Sequence, residues 1–114
     1  MTFDIEIVLR NEKDAAVERA VHPRDPHKWD EEDVRDVLRQ ILLALNRVGN
    51  PGAPDPVVAL RGFSWIVEPF DEGRVVIALE IPMGAAIAGP FAIGRTALDA
   101  LVTRAIATTG GPPV

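Results

Sequence analysis

The sequence contains no cysteine and no tyrosine, and Ser64 is its one serine. Without cysteine there is no disulfide, no thiolate nucleophile and no zinc site built on sulfur. Ser64 stands inside a strand-like run without the flanking glycines of a nucleophile elbow, which argues against serine-hydrolase chemistry. The opening Met1-Thr2-Phe3-Asp4-Ile5-Glu6 has neither a basic n-region nor an apolar h-region, so no secretory signal is expected. With the missing cysteines, this is compatible with a reducing cytoplasm.

Positive charge is scarce as well. Twelve Lys and Arg stand against 17 Asp and Glu, for a net charge of −5. Residues 1–36 carry six basic and eleven acidic side chains, while residues 37–114 carry six of each. All the excess negative charge therefore lies in the first third. No basic stripe exists to meet a phosphate backbone, so nucleic-acid binding is not expected.

A long uncharged span is interrupted rather than continuous. From Val75 to Gly94 only Glu80 is charged, but Pro82, Pro90, Gly84, Gly89 and Gly94 break the run. A strand followed by an apolar glycine-rich loop accounts for it better than a membrane span. No membrane association is expected.

What is present is ordinary globular material, with 47% hydrophobic and 25% charged residues in 114. That is too apolar for intrinsic disorder and too short for a second core. The expected organisation is one soluble domain over residues 1–108 and a flexible tail over residues 109–114, rich in glycine and proline.

Phe3, Ile5, Ile7 and Leu9 alternate with Asp4, Glu6, Val8 and Arg10, the period of a half-buried strand. After a turn at Asn11–Asp14, residues Ala15–Val21 suit either a returning strand or a short helix. The strand is preferred because a hairpin leaves fewer backbone groups unpaired. His22–Lys28, with two prolines, is expected to be an extended and solvated linker. Asp30 then caps a helix, with Asp33 three residues on in a weak capping box. Val34, Val37, Leu38, Ile41, Leu42, Leu45 and Val48 form its apolar stripe, and Gly49 ends it. Trp29 stands where a hydrophobic staple would pack against Val34.

After a proline-rich loop, a strand is expected over Val57–Val67 with a bulge at Arg61-Gly62. A turn at Phe70–Gly73 leads into a second strand, Arg74–Ile81. Trp65 falls on the core side. The loop Pro82–Arg95 precedes a helix capped by Thr96, with Ala97, Leu98, Leu101, Val102, Ala105 and Ile106 inward. The expected fold is an α+β two-layer sandwich: an antiparallel sheet of about four strands in ββαββα order, with two helices on one face.

Candidate chemistry is sparse. Gly89-Pro90-Phe91-Ala92-Ile93-Gly94-Arg95-Thr96 has the spacing of a phosphate-binding loop, G-x-x-x-x-G-K-[ST], with Arg95 in place of lysine. Such a loop belongs directly after a strand of a parallel sheet, which this chain does not promise. An anion site at Gly94, Arg95 and Thr96 is the reduced form of that idea. His22, Asp25 and His27, with Asp30 nearby, could ligate a metal, though their spacing matches no known scaffold and exposed loop histidines are the simpler explanation. No cofactor is implied.

The outer face of the second hairpin carries the strongest signal. Ile66, Val76 and Ala78 share a parity that would be polar on a wetted face, with Ser64, Glu68, Arg74 and Glu80 around them. An apolar centre with a charged rim has the anatomy of an interface. The expected function is a non-catalytic protein-interaction or accessory domain, a homodimer or a subunit of a larger assembly. The alternative is small-ligand or anion binding, enzymatic or not, at the Gly84–Thr96 loop with Arg95.

Overall fold

The alternation of apolar and polar residues after Phe3 drives the chain into an antiparallel hairpin. In the computed structural model, which describes residues 3–11, 15–49, 52, 54, 60, 62–81 and 84–109, β1 (Phe3–Asn11) pairs with β2 (Ala15–His22). The segment that suited strand or helix is thus a strand; the turn expected before it lies, at 12–14, outside the described residues. A single 3-10 turn, Pro26–Lys28, leads into α1 (Glu31–Gly49). Next come β3 (Ser64–Asp71), β4 (Arg74–Ile81), β5 (Gly84–Phe91) and α2 (Arg95–Thr109).

The fold is α+β, but the sheet has five strands in the order β2-β1-β5-β4-β3, every neighbouring pair antiparallel. The element order is therefore ββαβββα, not ββαββα. The additional strand is β5, expected as loop because glycine, alanine and proline are poor strand formers. It is the middle strand, hydrogen-bonded to β1 on one side and β4 on the other. Its small residues suit a position pressed between neighbours. Pro90, which has no N–H to give, falls where the ladder breaks: Val75 pairs with Phe91 and Ile77 with Ala88, so Gly89 and Pro90 together face Val76.

Further differences concern the second half. β3 begins at Ser64, and Leu60, Gly62 and Phe63 precede it; residues 57–59, expected as the start of the strand, lie outside the described residues. β3 has an irregularity between Pro69 and Asp71, and Arg61 of the bulge expected at Arg61-Gly62 lies outside the described residues. The β3–β4 turn is Glu72-Gly73, where Gly73 takes a positive φ of 80° that a side chain would oppose. Of the tail, Thr109 closes α2, and residues 110–114 lie outside the described ones.

One parity of the sheet meets both helices. Val34, Val37, Leu38 and Ile41 from α1 and Leu98, Val102 and Ala105 from α2 join Ile5, Ile7, Leu79 and Phe91 in a single core. Each Leu or Ile fully buried there contributes roughly 1.5–3 kcal/mol. Trp29 closes the core beside α1, its ring edge-on to Phe91 at 4.9 Å and its Nε1 donating to the Arg24 carbonyl at 2.9 Å. Trp65 packs partly buried against the same core and donates to the Leu60 carbonyl. No helix among the described residues is long and apolar enough to cross a membrane.

Candidate functional site

The sheet register decides what stands on the face turned away from the helices. Val17 pairs with Val8, Val8 with Ile87, Ile87 with Ala78, and Ala78 with Ile66. Paired residues share a face, so these five form one apolar row across all five strands. None belongs to the core shared by the helices. Ala78 and Val76 are nevertheless only 7% exposed, whereas Val17 at the sheet edge is 55% exposed.

Charged rows flank the apolar one. On one side Ala15, Arg10, Ala85, Glu80 and Ser64 are successive register partners. On the other, Arg19 pairs with Glu6 and Glu68 with Val76. Arg19 and Glu6 come within 3.8 Å of each other, both exposed. Such a pair in open water contributes little to stability. Ile66, Val76 and Ala78, singled out from sequence, thus occupy one end of a band whose other half is Val8, Val17 and Ile87. The alternation in β1 put Val8 among polar residues, but only the register brings it beside Ile87.

The histidine segment is organised differently from a solvated linker. His22 is the last residue of β2 and only 3% exposed. Its Nε2 lies 3.0 Å from Asp33 Oδ1 and its Nδ1 lies 3.0 Å from Asp36 Oδ2. A ring with a proton on each nitrogen donates to both; a neutral ring donates to one and turns a lone pair toward the other. The Trp29 ring lies edge-on to it at 5.8 Å. Asp33 also completes the reciprocal cap expected of it, taking the Asp30 N–H at 2.9 Å while the Asp30 side chain takes the Asp33 N–H at 3.0 Å. Burial pushes the Asp33 carboxyl up, but the Asp30 amide, the His22 ring, the Asp30 side chain and the Arg24 guanidinium outweigh it and hold Asp33 below the usual carboxylate value.

The cluster is therefore a clasp between β2 and α1. His27 is exposed, and Asp25 lies partly buried beside a cleft of about 380 Å³ with Pro23, Arg24 and Lys28. Among the described residues, no three His, Asp or Glu side chains are placed to hold a metal ion.

At the second helix, Gly94 rather than Thr96 takes the cap position, its carbonyl accepting the Leu98 N–H at 3.0 Å. Gly89, Pro90 and Phe91 lie in β5, so the first half of the loop-like motif is strand. Gly94, Arg95 and Thr96 are exposed, and the Arg95 Nε donates to the Val67 carbonyl at 3.3 Å. Arg95 and Thr96 border a cleft of about 290 Å³ that Asp99 also lines, so a carboxylate shares the space an anion would enter.

Compared with models of protein families, with curated proteins and with solved structures, the chain matches none.

Proposed function

We propose that this protein is a non-catalytic interaction domain that self-associates through the sheet face turned away from its helices. The observation that carries the reading is the uninterrupted apolar row Val17–Val8–Ile87–Ala78–Ile66, flanked by charge. A sheet face in water is ordinarily polar at such positions, whereas a docking face has an apolar centre and a charged rim. Size supports it. Five strands about 4.8 Å apart, with eight residues at about 3.3 Å each, make a face of roughly 600 Å² in projection. A stable pair needs on the order of 800 Å² of accessible surface per partner. Two-sheet packing at about 10 Å is a standard way of covering such a face.

Light scattering across a concentration series tests the reading. The expected result is a mass that climbs toward twice that of the chain. A strictly monomeric mass at high concentration overturns it.

A further inference from the structure

We infer that the two copies pack about a two-fold axis running along β5, so that the β1–β2 half of one face covers the β4–β3 half of the other. This rests on the self-association proposed above and says how the second copy is recognised. The argument comes from charge. β5 is the middle strand, and Ile87 is the middle residue of the apolar row. An axis along β5, lying in the contact plane, exchanges β1 with β4 and β2 with β3 while each row stays level with itself.

Arg10 then meets the partner's Glu80, because both belong to one row on opposite sides of β5. In the other charged row, Arg19 meets the partner's Glu68. Between them Val17 meets the partner's Ile66, Val8 meets the partner's Ala78, and Ile87 lies against the partner's Ile87. Every contact off the axis occurs twice, as an isologous interface requires. Glu6 faces an apolar residue, the partner's Val76, but it carries its own cation, Arg19, within 3.8 Å.

The competing two-fold axis lies along the apolar row, across the strands, and lays each strand on its own copy. Arg10 would then meet the partner's Glu6. However, Glu68 would meet the partner's Ser64 and Glu80 the partner's Val76, leaving two charges covered by neutral groups, while Arg19 would face the partner's Ala15 and keep its own Glu6. Covering an unpaired charge costs more than pairing it, so the axis along β5 is favoured.

The chain lacks cysteine, so an introduced thiol is unique. Val17→Cys and Ile66→Cys are prepared separately, one of them isotopically labelled. Each is treated with a short bis-maleimide alone, then mixed with the other after subunit exchange at low concentration. Positions 17 and 66 of facing copies would lie across a gap between sheets of about 10 Å. Two copies of position 17 would be offset by four strand spacings as well as that gap, about 22 Å in all.

The expected result is a mixed-mass covalent dimer, with each variant alone giving at least about tenfold less. Self-linking of Val17→Cys or Ile66→Cys alone, or no linking in a protein that still associates, overturns the arrangement and leaves self-association standing. No association by light scattering removes both.

Charge exchange provides an independent reading. Arg10→Glu should weaken association by about tenfold or more, and adding Glu80→Arg should recover most of it. Equal weakening by the single and double variants, with unchanged melting curves, also overturns the arrangement.

Discussion

His22 Nε2 lies 3.0 Å from Asp33 Oδ1, and this contact ties the end of β2 to the first turn of α1. Both side chains are buried, so the contact works where water cannot substitute for a lost partner. His22→Ala strands Asp33 beside a cavity and should cost about 2–4 kcal/mol. Urea unfolding at pH 7 measures this; a change under about 0.5 kcal/mol would show that the clasp is dispensable.

Asp33 also sets the acid limb of stability. Its folded pKa is depressed below the ordinary 3.8. The stabilisation is therefore complete above that value and is lost as pH falls through the folded one. Asp33→Asn should cost about 1–3 kcal/mol at pH 7 and flatten the fall in stability below about pH 4. Unfolding series at several pH values decide the point, since parallel acid limbs in parent and variant would exclude Asp33 as the group responsible.

Adjacent residues of β1 should give opposite results. Ile7 is fully buried in the helix-covered core, while Val8 stands in the apolar row of the open face. Ile7→Glu places an unpaired charge in the core and should unfold the chain. Val8→Glu should keep a cooperative melt while abolishing self-association. If both variants unfold, the open face is part of the core. If Val8→Glu associates as the parent does, this face is not the interface.

Gly89 is where β5 tolerates no side chain. Its φ is +128°, and a Cβ there would lie 3.2 Å from the Val75 carbonyl and 3.3 Å from the Phe91 ring. Gly89→Ala should cost roughly 1–3 kcal/mol. Gly94 has nothing within 4 Å of such a Cβ, so Gly94→Ala provides the comparison in the same thermal melt. Equal melting temperatures for the two variants would contradict the crowding at Gly89.

The elements that announce themselves in the sequence are those with one wet and one dry side. β1 and α1 alternate or recur cleanly, because part of each meets water, whereas β4 is marked by a run of β-branched and apolar residues, Val75–Leu79, all buried between charged ends. β5 gives no such signal, since Ala85, Ala86 and Ala88 differ little from one another and glycine and proline mark its ends. His22 was legible as a residue of interest but not as a buried one. Asp33 and Asp36 lie 11 and 14 residues further on, and they reach it only when α1 packs on β2. Half the candidate interface, Ile66, Val76 and Ala78, follows from the parity of one hairpin. The other half needs the pairing of β1 with β5, a register that no local pattern encodes.

That same pairing governs how the sheet comes into being. β1–β2 and β3–β4 are each local hairpins, yet in the sheet order they touch only through β5. Val8 and its partner Ile87 are separated by about 80 residues of chain, so the join between the hairpins closes a long loop and is among the costliest contacts to form. Until β5 inserts, β1 and β4 each keep an unpaired edge and the core has no floor beneath the middle of the helices. β5 is thus the keystone: a fault in either hairpin is felt by the other through the eight residues of this one strand.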